Sequence, residues 1–264
     1  MDWHSPKMSV IVATYNRPRT LLRLLGILNG QVRFHLRDWL DMVVVDDGSN
    51  SDMTGQFPSY LFPFKYIYRQ RASDNTSRVY SSRNMAAREG AGDVILQLDD
   101  DVTFHERSLS EIQNYAAIFF SLAPDLDWCF TPRVSNNIDR DAHMDAERDG
   151  FHRGPEGYWR DGKAKWSPIG WSGCDSSMMA MPRRTWEKIG GYDEQFDGSM
   201  GAADQELALR VKKAGGILLL SPYFAHKEDE ETGSWRDRMI DARKRPESNE
   251  DLFWKKHPDA AEWD

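Results

Sequence analysis

The chain has 264 residues, of which 40% are hydrophobic and 29% are charged, values typical of a globular protein and not of a disordered or fibrous one. Its formal net charge of −8 at pH 7 argues against a broad nucleic-acid-binding surface, because such surfaces are usually basic. No apolar run reaches the roughly 18 residues that cross a bilayer, and the first residues lack an apolar leader, so we expect a cytoplasmic protein without a transmembrane segment.

The first elements form a strand-helix-strand pattern. Met8–Thr14 is a short apolar run that predicts a strand buried on both faces of a parallel sheet. For the helix that follows we expect Asn16 as the cap, Pro18 in the first turn and Gly30 as the end. Residues 41–47 are a second apolar run that ends in carboxylates. Such units bind ligands at the carboxyl ends of their strands.

Further strands and helices alternate along the rest of the chain. The expected strands are residues 66–68, 94–98, 128–131, 176–181 and 217–220, and the expected helices are residues 77–89, 109–119, 183–189, 204–214 and a short one near 252–254. Residues 133–168 are polar and break the pattern, which is typical of a lid or a binding loop. Within them, Asp161-Gly162 predicts a hairpin turn. Nearby, Trp159, Trp166 and Trp171 are candidates for a sugar-binding wall, with core packing as the alternative.

Three consecutive aspartates, Asp99, Asp100 and Asp101, directly follow the strand expected at residues 94–98. Residues two apart on an extended chain point to the same side, so we expect Asp99 and Asp101 to project together into a cleft. Their mutual repulsion would be relieved by a hard divalent cation such as Mg²⁺ or Mn²⁺. A solvated acidic loop is the alternative interpretation.

Four segments occur in a telling order: VIVATYNRP (10–18), VVVDDGSNSD (43–52), SRNMAAREGAGDVILQLDDD (82–101) and GGYDEQF (190–196). Together they resemble the inverting family-two glycosyltransferases over residues 8–226. The resemblance implies an α/β fold of the GT-A type, with a single domain at 1–264, a Rossmann-like mixed sheet flanked by helices and an irregular acceptor-side segment. It divides the chain into a nucleotide-sugar-binding half (8–101), an acceptor and catalytic half (102–226) and a charged C-terminal extension (227–264).

The resemblance assigns the nucleotide-sugar donor to residues at the matching positions. Thr14, Tyr15 and Asp47 would line the nucleoside pocket, and Asp47 would accept a hydrogen bond from a ring N–H of the base. Arg83 would approach the donor phosphates. The residue types alone leave two alternatives open, since Tyr15 could be an ordinary packed aromatic and Arg83 could pair with an acidic side chain.

The aspartate run matches the DXD pattern of metal-dependent members of the family. By that resemblance Asp99 and Asp101 act on the ribose and the metal, with Asp101 as the main metal ligand and Asp99 as its partner, while Asp100 joins the donor-binding set. His226 follows the last expected strand, where several metal-dependent members of this fold place a third ligand. A structural or exposed histidine is the alternative. The expected cofactor is Mn²⁺ or Mg²⁺.

The late helix carries the expected catalytic base. The family usually shows Glu-Asp at its head, whereas this chain has Ala203-Asp204. Asp204 would be the general base, with a simple capping role as the alternative. Glu206 is the fallback, although two residues along a helix it would face roughly 200° away. The glutamate that the family associates with acceptor contacts is replaced here by Ala203.

The implied activity is a metal-dependent, inverting transfer of a sugar from a nucleotide-diphosphate sugar, with a UDP-sugar as the expected donor. The sequence does not distinguish hexosyl from N-acetylhexosaminyl transfer and does not identify the acceptor. A nucleotidyltransferase of similar fold is one rival, but residues 13–18 contain no glycine of the kind its phosphate loop uses. A catalytically inactive nucleotide-sugar-binding module is the other.

Overall fold

The computed structural model describes residues 6–32, 39–71, 76–104, 108–136, 152–154, 157–160, 163–164, 167–174, 177–199, 201–227 and 247–264. The strands in these ranges are β1 (Met8–Thr14), β2 (Leu40–Asp46), β3 (Phe64–Tyr68), β4 (Val94–Asp99), β5 (Val102–Phe104), β6 (Trp128–Asn136), β7 (His152–Gly154), β8 (Gly157–Arg160), β9 (Lys163–Ala164), β10 (Ser167–Pro168), β11 (Met178–Pro182) and β12 (Ile217–Lys227). The α-helices are α1 (Pro18–Gln31), α2 (Val79–Glu89), α3 (Ser108–Leu122), α4 (Arg183–Ile189), α5 (Ala203–Lys213) and α6 (Asn249–Lys256).

One mixed sheet organises the molecule, in the order β10-β12-β6-β11-β4-β1-β2-β3, with β5 paired to β12. Strands β1 to β4 are parallel where they pair, and β11 runs antiparallel to both of its neighbours, β4 and β6. The parallel part places β1 between β2 and β4. This arrangement confirms the mixed α/β sheet expected from the sequence.

Helices cover both faces of the sheet because the central strands are apolar on both sides. In β1, Val10 and Val12 pack with the apolar side chains of α1 and α3, whereas Ile11 belongs to a second cluster with side chains of α2, α4 and α5. Successive side chains of a strand point to opposite faces, so a continuous apolar run must be covered twice.

The start of α1 differs from the expected cap. Asn16 has a positive φ of 52°, and its side-chain oxygen accepts a hydrogen bond from the backbone N–H of Asn50 at 2.8 Å. Its own backbone N–H donates to Ser49 Oγ at 2.7 Å. Asn16 therefore ties the loop after β1 to the loop after β2. The residue before the helix is Arg17, which makes no capping hydrogen bond, so the predicted role of Asn16 was wrong.

The segment at 133–168 has more regular structure than the sequence pattern indicates. Strand β6 continues through Asn136, and β7, β8 and β9 form a small antiparallel sheet. In that sheet β8 pairs with β9, which confirms the predicted hairpin, while its turn residues Asp161 and Gly162 lie outside the described residues. The rest of the expected lid falls mainly on residues 137–151, which also lie outside them.

Trp171 belongs to the core. It is 7% exposed, its ring stacks on Phe253 of α6 with 5.0 Å between centroids, and its Nε1 donates to the carbonyl oxygen of Ala260 at 3.1 Å. The packing alternative therefore holds for this tryptophan, and the side chains of Trp159 and Trp166 lie outside the described part of the chain. None of the helices in the described ranges has the length and apolar character needed to span a bilayer.

Candidate active site

The carboxyl ends of β1, β2 and β4 meet at one edge of the sheet. Thr14, the last residue of β1, pairs with Asp46 at the end of β2, and the preceding Ala13 pairs with Asp99 at the end of β4. The polar residues that follow these three strands are therefore neighbours in space although they are far apart in sequence. A crevice at such strand ends is where open α/β sheets bind ligands.

The aspartate run turns at this edge, because β4 ends at Asp99 and the next two residues form a turn. Asp100 accepts hydrogen bonds from Thr14 Oγ1 at 2.6 Å and from Arg17 Nη1 at 2.9 Å. Asp101 accepts from the same Arg17 nitrogen at 2.7 Å. Asp100 and Asp101 thus share a partner. The expectation that Asp99 and Asp101 point to the same side assumed an extended chain, and the extended chain ends at Asp99.

Arg17 holds two buried carboxylates together. Asp100 and Asp101 are each 5% exposed. Burial raises the pKa of Asp100, although Arg17 and Thr14 oppose that shift. Burial also works against the charge of Arg17, yet the attraction of the two aspartates outweighs it and raises the Arg17 pKa, so this guanidinium stays charged. Sequence reasoning missed Arg17 although it lies inside the first family-like segment.

Arg83 binds the first aspartate of the run. It lies on α2, is 6% exposed and forms an ion pair with Asp99. Its guanidinium lies over the rings of Tyr192 and Tyr80, at 5.4 and 5.8 Å from their centroids. Burial lowers the Arg83 pKa, but Tyr192, Asp99 and Asp204 together outweigh it and raise that pKa. The predicted acidic partner of Arg83 is therefore present, and it is a member of the aspartate run.

Asp204 is the second residue of α5 and is half-buried. The helix is preceded by Ala202, which has a left-handed φ of 58° and no capping side chain, so Asp204 lies inside the first turn and is not the cap. The pKa of Tyr80 is raised mainly by its burial and next by the negative charge of Asp204. Since Asp204 also raises the pKa of Arg83, its carboxylate lies within electrostatic range of the Arg83 cluster.

Glu206 is committed elsewhere. It is 2% exposed and accepts hydrogen bonds from Arg210 Nε and Nη2 at 2.7 and 2.6 Å. His257 Nε2 lies 3.1 Å from its Oε1. These contacts join α5 to the segment after α6. They give Glu206 a structural role, which argues against it as the fallback base.

Two further arginines surround the expected nucleoside-binding residues. Asp47 Oδ2 accepts from Arg71 Nη1 at 2.5 Å and from the backbone N–H of Arg78 at 2.8 Å, while its Oδ1 accepts from Arg78 Nε at 2.8 Å. The Arg71 guanidinium carbon lies 4.0 Å from the centroid of the Tyr15 ring. Sequence reasoning missed both arginines, because the segment between β3 and α2 carries no periodic pattern.

A pocket of about 320 Å³ opens at the same edge of the sheet, on the side where α1 lies. Because side chains alternate, Thr14 and Asp46 face this pocket, whereas Tyr15 and Asp47 face the side covered by α2. Polar and apolar surface both contribute to its lining, which consists of Thr14, Asn16, Arg17, Pro18, Leu21, Asp46, Ser49, Asn50, Ser51 and Met53.

The backbone of His226 comes close to the aspartate run. In β12 it pairs with Thr103 of β5, and β5 begins directly after Asp101. The side chain of His226 is not among those described. Across the described part of the chain, no three carboxylate, imidazole or thiolate groups stand together as a ready-made metal cluster.

Comparison with known proteins identifies the family of the chain. The model of glycosyl transferase family 2 matches residues 9–189. A curated relative, validoxylamine A glucosyltransferase of Streptomyces hygroscopicus subsp. jinggangensis (strain 5008), is 27% identical over 95% of this chain and 64% of its own length. The chain therefore spans less than two thirds of the length of the curated relatives that it matches.

Solved structures agree in fold. S. aureus TarS 1-349 in complex with UDP-GlcNAc is 18% identical with a TM-score of 0.58, over 85% of this chain and 60% of that one. Mannosyltransferase PcManGT from Pyrobaculum calidifontis in complex with GDP-Man and Mn²⁺ is 17% identical with a TM-score of 0.60, over 97% and 72%. At these identities the likeness is one of fold, and it confirms the expected GT-A architecture.

Proposed function

Because the chain belongs to glycosyl transferase family 2, we propose that it transfers a sugar from a nucleotide-diphosphate sugar to an acceptor hydroxyl or amine. The observation that carries the proposal is the meeting of Tyr15, Asp47, Arg83 and the aspartate run at one sheet edge, with Asp204 in electrostatic range. TarS and PcManGT, which share the fold, were solved with nucleotide sugars, which supports a donor of this class.

The proposed base subsite consists of Tyr15 and Asp47. An aromatic ring offers a stacking face, and an ionised carboxylate only accepts hydrogen bonds, so Asp47 favours a base with a ring N–H at its pairing edge. Uracil and guanine have such an N–H, whereas the corresponding nitrogen of cytosine and adenine is an acceptor. We take a UDP-sugar as the expected donor. Thr14 and Asp100, joined by their hydrogen bond, are proposed as further donor contacts at the same sheet edge, although the Thr14 side chain faces the opposite side from Tyr15 and Asp47.

The aspartate run suits a divalent cation. Asp99, Asp100 and Asp101 supply only carboxylate oxygens, and all three lie at the sheet edge where β4 ends. Hard oxygen ligands of this kind fit Mg²⁺ or Mn²⁺. We propose Asp101 as the main ligand, with Asp99 and His226 as its partners. When bound, the ion would supply positive charge that stabilises the departing diphosphate.

Asp204 is the proposed general base. Its position in the first turn of α5 favours the ionised carboxylate, because the amino end of a helix carries partial positive charge. Asp204 would remove the proton of the acceptor as its oxygen or nitrogen attacks the anomeric carbon. A single displacement of this kind inverts the configuration and needs no covalent enzyme intermediate. Arg83, paired with Asp99 and near Asp204, would hold positive charge beside the donor phosphates.

A thermal-shift screen tests the proposal, because a ligand that binds the native state raises the melting temperature. UDP-glucose, UDP-GlcNAc and GDP-mannose would be compared with and without Mn²⁺, followed by an assay for slow donor hydrolysis. We expect a metal-dependent shift with one of these donors and release of its nucleoside diphosphate. A shift without any turnover would indicate an inactive binding module. No shift with any nucleotide sugar would remove the proposed function.

A further inference from the structure

Arg71 makes the two contacts that the proposed function reserves for a nucleobase. Its guanidinium lies over the Tyr15 ring, 4.0 Å from the centroid, and its Nη1 donates to Asp47 Oδ2 at 2.5 Å. A base in this subsite would also stack on Tyr15 and donate a ring N–H to Asp47. We infer that Arg71 competes with the base for this subsite, so that donor binding requires Arg71 to leave and its departure sets donor affinity. This inference rests on the proposed function.

The chemistry of the guanidinium makes it a good substitute for a base. It is planar, it stacks on aromatic rings, and its N–H groups donate within its own plane, as the N–H of a base does. Arg71 Nη1 also donates to the backbone carbonyl oxygen of Asp47 at 3.2 Å, so the group is held at two points beside Tyr15. One face of the Tyr15 ring cannot stack on both groups at once, and a base on that face would have to approach Asp47 Oδ2 through the space that the Arg71 guanidinium fills.

Backbone contacts fix the position of Arg71 beside Asp47. Gly48, which follows Asp47, has a φ of +83°, and a Cβ on it would lie 2.4 Å from the backbone nitrogen of Arg71 and 2.7 Å from its Cα. A glycine is required for both reasons. Just before Arg71, the backbone N–H of Arg69 donates to the carbonyl oxygen of Asp46 at 2.9 Å, which extends the pairing of β3 with β2. The arginine therefore starts from a fixed point against the turn after β2.

Asp47 keeps a cationic partner when Arg71 leaves. Arg78 contacts both of its carboxylate oxygens, through its backbone N–H and its Nε, each at 2.8 Å. The Arg71 side chain is 19% exposed, whereas that of Asp47 is 4% exposed, so Arg71 has a path to solvent that the carboxylate lacks. Arg78 is the permanent partner of Asp47, and Arg71 is the exchangeable one.

Competition with Arg71 should lower the affinity of a ligand without phosphate more than that of a nucleotide. A neutral nucleoside offers nothing to the displaced guanidinium, whereas the phosphates of a nucleotide can attract it within the same cleft. The apparent affinity of a ligand falls with the fraction of protein that is competent to bind it. Removing Arg71 should therefore favour a nucleoside more than a nucleoside diphosphate.

Calorimetric titration of uridine and UDP into the wild type, Arg71→Met and Arg78→Met tests the inference. We expect uridine to bind Arg71→Met roughly 5-fold more tightly than the wild type, equivalent to about 1 kcal/mol, with a smaller gain for UDP. Arg78→Met is the matched control, since it removes the other cation at Asp47 and leaves Tyr15 covered. Unchanged or weaker uridine binding in Arg71→Met overturns the inference, and so does an equal gain in Arg78→Met.

UDP binding by the wild type in Mn²⁺ separates this inference from the function on which it rests. If UDP binds and uridine shows no gain in Arg71→Met, only the competition is wrong. If UDP binds to none of the proteins, both are overturned. Arg71→Gln, with melting temperatures measured for all variants, provides a second substitution should Arg71→Met fail to fold, and it is expected to give a gain in the same direction.

Discussion

Arg17 donates a hydrogen bond to Asp101 across 84 positions of sequence, with 2.7 Å between Nη1 and Oδ2. Asp101→Asn keeps the size of the side chain and an oxygen that can accept this bond, but it removes the charge that a cation needs. We expect the affinity for UDP in Mn²⁺ to fall by about tenfold or more while the fold survives. Titration calorimetry in Mn²⁺ and in excess chelator measures it.

Asp125→Asn is the matched control for that experiment, because Asp125 is exposed and lies in the turn after α3. It should bind UDP as the wild type does. Unchanged affinity of Asp101→Asn in Mn²⁺, or full wild-type affinity in chelator, would remove the metal assignment.

Asp204→Asn should separate binding from chemistry. The substitution keeps the shape of the side chain, and the helix does not depend on it for a cap, so the fold and donor affinity should survive. A positioned general base contributes about 10² to 10⁴ in rate, and transfer should fall by that factor. Turnover and donor affinity are measured on the same preparation, with Glu187→Gln as a carboxylate-to-amide control on the exposed side of α4. Wild-type turnover in Asp204→Asn would place the base elsewhere.

Asp127 offers a test of how the stability of the fold depends on pH. It lies directly before β6 and accepts hydrogen bonds from two residues of α4, Thr185 Oγ1 at 2.7 Å and Lys188 Nζ at 2.6 Å. Burial works to raise the Asp127 pKa, but these partners outweigh it and lower that pKa below its ordinary 3.8. The stabilisation is therefore present above about pH 4 and is lost as the pH falls through the lowered value.

Asp127→Asn should accordingly lower the free energy of unfolding at pH 7 by about 1 kcal/mol, and the difference from the wild type should shrink towards pH 3. Urea denaturation at the two pH values measures it. A difference that stays constant, or grows in acid, would contradict the role of the charge.

Substitutions of Trp171 test whether this residue packs in the core or contacts a sugar. Trp171→Ala removes the stacking on Phe253 and the hydrogen bond to Ala260, and it should lower the free energy of unfolding by about 3–5 kcal/mol. Trp171→Phe keeps an aromatic ring and should lose less. Thermal and urea unfolding measure both variants. A sugar-binding tryptophan would behave differently, with unfolding unchanged and the acceptor KM raised.

Much of the framework was predictable because its signals are local. The run at Met8–Thr14 alternates between two cores, and the observed β1 has the predicted bounds. Arg183–Ile189 was likewise expected as a helix and is α4. The carboxylates after β2 and β4 come together because parallel strands share an edge, which the strand-helix-strand pattern already implies.

The pairing of side chains at the site was not predictable in the same way. That Asp99 binds Arg83 while Asp100 and Asp101 bind Arg17 depends on where β4 ends, and a shift of one residue changes the answer. Arg71 reaches its place through the contact of its backbone with Gly48, which no local pattern reveals. Asn16 could have capped α1, but the loop after β2 offers its side chain another donor, the Asn50 N–H.

The position of β11 in the sheet has a consequence for synthesis of the chain. β4 is flanked on one side by β1, which precedes it, and on the other by β11, which leaves the ribosome much later. Until then one edge of an apolar strand, with its backbone N–H and C=O groups unpaired, is open to pairing with other chains. A chain stopped before Met178 should therefore aggregate. We expect the charges of the three aspartates that follow β4 to oppose such pairing during that interval, because charged residues that flank an apolar strand disfavour aggregation.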